Sequence, residues 1–179
     1  MLSEGARVAR DVDDALDNFD TQRGGRILAE YIDDLSNWYV RRSRRRFWDG
    51  DESALATLHE ALRIVTLCLA PYTPFIAERV WQDLFRATDD QAPISVHLAS
   101  WPSLENATIN DDLRDNMALV RRVVELGRAA RATSSVKTRQ PLSRALVSAP
   151  GWAQLPDELV AEVADELTSG STRRLSPRQ

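Results

Sequence analysis

Over the first hundred residues the apolar positions recur at intervals of three and four, the spacing of helices that bury one side. Val8, Val12, Ala15, Leu16 and Phe19 predict a helix over residues 4–19. Asp20 and Thr21 are caps for a second helix, whose Ile27, Leu28, Tyr31, Ile32 and Leu35 carry on to Trp38 or Tyr39. Leu55, Leu58, Leu62, Val65 and Leu69 give the strongest periodicity in the chain, a bundle helix capped by Asp51 or Ser53. Pro71 and Pro74 end it. Thr73 then caps a fourth helix from Pro74 to about Arg86, with Phe75, Ile76, Val80, Trp81 and Leu84 as its buried side. From Ala87 to Ile109 the pattern breaks into a long connection. Val96, Leu98 and Trp101 alternate within it and predict that it lies pinned against the bundle. Asn110 caps a fifth helix over residues 111–132, with Leu113, Met117, Val120, Val124 and Gly127 on its core line and Arg121, Arg122, Arg128 and Arg131 elsewhere.

Beyond residue 134 the pattern changes. Residues 136–142 read as extended, 144–149 as a short strand and 156–167 as a helix carrying Leu159, Val160, Val163 and Leu167. The expected fold class is all-α (mainly): a bundle of about five helices over residues 1–133. Residues 134–168 then open a C-terminal junction region of extended segment, strand and helix, and 169–179 form a disordered tail. One strand and one helix cannot close a core, so this region is expected to continue past residue 179. Gly24-Gly25 is costly inside a helix, about 1 kcal/mol each relative to alanine. No G-x-x-x-x-G-K or G-x-G-x-x-G surrounds the pair, so it predicts a close helix crossing rather than a phosphate loop.

Charge changes the picture more than composition does. The net charge is −4 with a pI near 5.3, which argues against indiscriminate nucleic-acid binding. Acid gathers early, at Asp11, Asp13, Asp14, Asp17 and Asp20, whereas base gathers at 41–46 and again at 121–144. Ser36–Trp48 holds five arginines and four aromatics within thirteen residues. On a helix, Arg41 and Arg42 fall one turn before Arg45 and Arg46, a like-charge spacing that weakens the helix. Such a segment has either acidic neighbours or an anionic partner. Arginine forks match phosphate oxygens and flat aromatics stack on unpaired bases. The alternative is a solvated helix end with its aromatics in the core.

Catalytic constellations are missing. His59 and His97 are the only histidines, and Cys68, the one cysteine, lies in an apolar helical pattern. That excludes an internal disulfide and a cysteine-built zinc site, and it suits a reducing, cytoplasmic setting. Asp13-Asp14 and Asp33-Asp34 point about 100° apart on a helix and form no dyad. No apolar run nears the roughly 20 residues that span a bilayer, and the N-terminus lacks a basic-then-apolar signal, so no membrane or secretion role is expected.

The segment Ser36-Asn37-Trp38-Tyr39-Val40-Arg41-Arg42-Ser43-Arg44-Arg45-Arg46-Phe47-Trp48 closely resembles the one that marks the anticodon-binding helical domain of class Ia isoleucyl-tRNA synthetases. Leu69-Ala70-Pro71-Tyr72-Thr73-Pro74-Phe75-Ile76-Ala77-Glu78 resembles the turn between bundle helices in the Ile/Val/Leu group. Ser95-Val96-His97-Leu98-Ala99-Ser100-Trp101-Pro102 and Lys137-Thr138-Arg139-Gln140-Pro141-Leu142 follow in the family's order. The likeness covers about residues 5–168, and its first and last segments favour the isoleucyl over the valyl type. The H-I-G-H and K-M-S-K-S signatures, the editing domain and the cysteine zinc ligands are missing from this chain.

The resemblance implies a helical domain that docks the anticodon stem-loop of isoleucine tRNA in translation. ATP and magnesium chemistry would sit in the remaining domains of the parent synthetase, and no cofactor is implied for this segment. The RNA-binding candidates are Arg41, Arg42, Arg45, Arg46, Phe47, Trp48, Lys137 and Arg139, followed by Trp38, Arg128 and Arg131. The competing readings are a valyl-type anticodon domain, or a protein-interaction module whose arginines pair with carboxylates such as Asp33 and Asp34 or with a partner chain. A free-standing enzyme finds no support in the residues.

Overall fold

The computed structural model describes residues 1–102, 110–135, 137, 140–142 and 144–167, with the backbone of 172–174. The chain divides into two compact units, Met1–Ile109 and Asn110–Gln179.

In the first unit α1 (Leu2–Asp17) packs on α2 (Thr21–Asp33) and on α4 (Glu52–Leu69). Asp20 caps α2, its carboxylate accepting from the Arg23 amide at 2.9 Å. α2 then runs without a break through a π-helical stretch, Asp34–Val40, into α3 (Arg41–Trp48). Both joints keep helical dihedrals, φ −62° and ψ −47° at Asp33, φ −62° and ψ −45° at Val40. The rod ends where Gly50 adopts φ +73°. The Gly50 amide donates to Phe47 O at 3.2 Å and the Asp51 amide to Arg46 O at 2.9 Å, the paired bonds of a Schellman stop, which needs a residue that tolerates the left-handed region. Asp51 caps the next helix by accepting from the Ala54 amide at 3.0 Å.

α4 is buried on two sides. Ala61, Ile64, Val65 and Cys68 meet Val8, Val12, Leu28, Tyr31 and Leu35 of α1, α2 and the π stretch, while Leu67 joins Ala70, Ala77, Trp81, Phe85 and Val96. Gly24 marks a close approach, of the Tyr72 side chain from the turn after α4 rather than of a second helix. A Cβ built there would lie 2.1 Å from the Tyr72 hydroxyl oxygen.

Five positions on the expected buried lines of these helices lie outside the core. Phe19 follows the end of α1 with φ +57° and is turned into solvent. Leu55 is exposed, and the buried line of α4 begins with Ala54. In α5 (Pro74–Val80) and the π stretch Trp81–Arg86 the buried residues are Ala77, Trp81 and Phe85. Phe75 is 89 % exposed, and Ile76 and Leu84 are also exposed. Two apolar stripes run along this segment one residue apart, and the tertiary fold selects the one with the larger aromatics. The Trp81 indole fixes that choice by donating to Pro93 O at 2.9 Å. The following connection is pinned as expected, though by other means than simple alternation. Glu78 accepts from the Ser95 hydroxyl at 2.8 Å and the Val96 amide at 2.9 Å, and the Trp101 indole donates to Ala9 O at 3.2 Å. Leu98 faces outward.

In the second unit, α6 (Asp111–Thr133) is capped by Asn110, which accepts from the Leu113 amide at 2.8 Å. α6 packs on α7 (Asp157–Glu166). Val120, Val123 and Val124 are buried here, as are Trp152, Leu155, Val163 and Leu167, whereas Leu113 is exposed. β1 (Ala145–Val147) pairs in parallel with β2 (Thr172–Arg174), Ala145 opposite Thr172. Two expectations change here. α6 groups with the strand and helix that follow it rather than with the bundle, which gives that region the apolar face it needs for a core. The stretch expected as a disordered tail contains β2. The chain remains mainly α, and among the described residues no helix is long and apolar enough to cross a membrane.

Candidate nucleic-acid interface

α3 divides the arginine-rich segment into two sets. Arg41, Arg44, Arg45 and Trp48 stand at i, i+3, i+4 and i+7, which places them on one helix face. All four are exposed, and Arg45 keeps 94 % of its side chain open and Trp48 84 % of its surface. Arg41 lies along the rod, its Nε donating to Asn37 O at 2.8 Å. The remaining residues have neighbours on the protein, though Arg46 stays exposed. The Arg42 guanidinium sits 5.4 Å above the Trp38 ring. Ser43 is buried. Phe47 meets Tyr39 edge to face, with centroids 6.2 Å apart, and the Tyr39 hydroxyl donates to Ala54 O at 3.1 Å. Arg46 Nε donates to Asp51 Oδ2 at 2.8 Å.

Asp51 therefore does two jobs with two oxygens, capping α4 with one and holding Arg46 with the other. The Arg46 hydrogen bond and then the Ala54 amide keep its carboxyl below the usual carboxylate range, and the same pairing raises the Arg46 guanidinium further. Arg45 approaches Asp49 at 3.7 Å, but both are well exposed, and such a pair is worth little in water.

The candidates in the second unit have different surroundings. Arg128 is paired with Glu166. Arg131 is buried and acts as a clamp, its guanidinium donating to Leu167 O at 3.1 Å, to Gln140 O at 2.7 Å and to Lys137 O. Those bonds tie the chain after α6 back onto the helix, so Arg131 faces inward. The Lys137 side chain is exposed. Arg139 lies outside the described residues.

His59, Asp14 and Cys68 lie among residues of the fold itself. His59 stacks on Phe85 with centroids 4.9 Å apart, and Asp14 pairs with Arg23 at 3.0 Å. Burial pushes the Cys68 thiol up to about 12. Among the described residues no three His, Cys, Asp or Glu side chains are placed to hold a metal ion.

The profile of the anticodon-binding domain of tRNA ligases matches residues 1–146, most of the chain. The chain belongs to that family. Isoleucine–tRNA ligase of Cutibacterium acnes is 59% identical over 167 residues, which make up 93% of this chain and 15% of that enzyme. The enzyme of the same name from Streptomyces avermitilis is 56% identical over 98% of this chain and 17% of its own length. The one from Thermus thermophilus is 44% identical over 99% of this chain and 18% of its own length. The chain thus spans less than a fifth of these relatives.

The exposed face of α3 also carries Arg44, which was not among the residues expected from the sequence. Its spacing, three residues after Arg41 and four before Trp48, carries that signal, which the like-charge pairs Arg41–Arg45 and Arg42–Arg46 do not include.

Proposed function

We propose that this chain is the anticodon-binding part of an isoleucine–tRNA ligase and that it holds the anticodon stem-loop of isoleucine tRNA against the exposed face of α3. The observation that carries this reading is the row Arg41, Arg44, Arg45 and Trp48, a cationic and aromatic strip on a chain of net charge −4. Guanidinium groups on one face track a phosphate backbone and release its counterions, so affinity comes with a salt dependence. ATP-dependent attachment of isoleucine, with its magnesium, belongs to the remaining domains of the parent enzyme. Those domains and the tRNA are the partners of this chain.

A fluorescence titration of the anticodon stem-loops of isoleucine and valine tRNA, at salt from about 50 to 200 mM, tests the reading. Affinity for the isoleucine stem-loop is expected to be the higher and to fall steeply with salt. Changing Arg44 and Arg45 to alanine should flatten the log–log slope by about 0.7 per lost phosphate contact. Salt-independent binding, or an unchanged slope in the double variant, overturns it. The Arg46–Asp51 pair favours a second role for one arginine, the internal ion pair. Arg46→Met should lower the melting temperature and leave the salt slope as it was.

A further inference from the structure

We infer that the π-helical stretch Asp34–Val40 is the part of the rod that aims α3. It shifts the phase of the helix so that Ser43 and Phe47, rather than Arg42 and Arg46, meet the protein, and the face with Arg44 and Arg45 is left to solvent. This rests on the tRNA reading above and names what positions its phosphate-binding face.

The first observation is a spacing. Leu35 is buried, and Tyr39 is half-buried with its hydroxyl donating to Ala54 O of α4 at 3.1 Å. Ser43 is buried, and Phe47 packs on Tyr39. These inward residues follow the buried Tyr31 at steady intervals of four. An α-helix turns about 100° per residue, so each four-residue step overshoots by about 40°, and the steps from Tyr31 to Phe47 by about 160° together. An unbroken α-helix would carry Phe47 nearly to the opposite side. A π turn is closed by i→i+5 bonds and takes in more residues than an α turn, so four-residue steps through it stay close to one line.

The second observation is what an unbroken α-helix would bury instead. Counted from Leu35 at i, i+7 and i+11, its inward line holds Arg42 and Arg46. Two guanidinium groups aimed at an apolar interior cost far more than the serine and phenylalanine found there. In the structure Arg46 is exposed. Third, the same device recurs in this chain. Ala77, Trp81 and Phe85 are buried at intervals of four and run into the π-helical stretch Trp81–Arg86, where the Ala87 amide donates to Gln82 O at 3.1 Å, five residues back. Fourth, the stretch touches the face it aims, since Asn37 O accepts from Arg41 Nε.

Thiol labelling reads the rotation without any RNA. Cys68 is buried, so the added thiol of Ser43→Cys or Arg46→Cys reports on α3 alone. At about pH 8 Ser43→Cys should react at least roughly 10-fold more slowly than Arg46→Cys. Deleting Ser36 takes one residue out of the stretch, closes it to α geometry and should reverse that order. Unfolding would instead make both react fast, with helix lost by circular dichroism. In that event the deletion combined with Arg42→Leu and Arg46→Leu decides. Its melting temperature should exceed that of the deletion alone, because those side chains then face the protein. An unreversed order in the folded deletion variant, or no gain from the leucines in an unfolded one, overturns the inference.

The same deletion should weaken binding of the labelled anticodon stem-loop of isoleucine tRNA and flatten its salt slope by about 0.7 per lost phosphate contact. An alanine inserted after Val40 in the deletion variant should restore both, and Ser36→Ala should alter neither. Unchanged affinity in a chain whose labelling order has reversed overturns the positioning role. If the parent chain binds no stem-loop at all, the tRNA reading falls, and the labelling still decides how α3 is aimed.

Discussion

Ser43 is a small buried residue in the middle of five arginines, and its position shows how α3 is oriented. The side that carries buried Ser43 and half-buried Phe47 faces the protein, so the opposite side carries Arg41, Arg44, Arg45 and Trp48, and Arg46 stays exposed while bonded to Asp51. Of the residues that the sequence offered for RNA contact, Arg41, Arg45 and Trp48 lie on that exposed face. Each of these arginines also touches the protein, Arg41 at Asn37 O and Arg45 near Asp49, as Arg42 does at Trp38 and Arg46 at Asp51, while Phe47 packs on Tyr39. Composition announced the cluster; it held no information on which way each guanidinium turns. Cys68 is a second residue whose surroundings decide its chemistry. Desolvation, with Asp13 adding to it, holds the thiol protonated up to about 12, so a thiol reagent at about pH 8 should leave the native chain unmodified and label it fully once unfolded. The folded value lies above the unfolded one. Stability from this group is therefore complete below about pH 8.5 and is lost as pH rises toward 12, and burial of the Tyr31 phenol acts in the same direction. A melting temperature that stays flat from neutrality to strong alkali in the wild-type chain would contradict this.

At the scale of elements, three expected caps formed and the buried faces were the least legible, while Thr73 stands before α5 without capping it, its hydroxyl donating back to Leu69 O. Asp20, Asp51 and Asn110 each accept from an amide three residues ahead, a bond within one turn that any sequence window contains. The segment Pro74–Arg86 shows the opposite case. Its apolar residues fit two stripes at helical spacing, and the packing of Trp81 and Phe85 on Leu67 and Ala70 selects one of them. Phe85→Ala should therefore cost about 3–5 kcal/mol, and Phe75→Ala should stay within about 0.5 kcal/mol. Denaturant unfolding of the two variants measures this, and the reverse order would place the other stripe inside.

At the scale of the whole molecule, the chain is two units with separate apolar interiors. Trp152 and Leu155 anchor the second, just ahead of α7, and neither stood out in a stretch of short, weakly periodic elements. Trp152→Ala should remove about 3–5 kcal/mol from that unit. Hydrogen exchange should then quicken across α6 and α7 and leave α1, α2 and α4 protected as before. Quickening of equal size in both units would mean that they unfold as one.

The sequence by itself determined where the helices run, where α2, α4 and α6 begin, that the chain is mainly α, and that one acidic protein concentrates cationic and aromatic residues near residue 45. All of these rest on interactions between residues a few positions apart. Tertiary structure decided which of two stripes on Pro74–Arg86 is core, that α6 groups with the strand and helix after it, and that Arg131 clamps carbonyls at residues 137, 140 and 167. It also decided which arginines of α3 share a face with Trp48 and which one Asp51 holds. Each of these outcomes depends on what lies opposite a side chain in space, and spacing along the chain does not contain that.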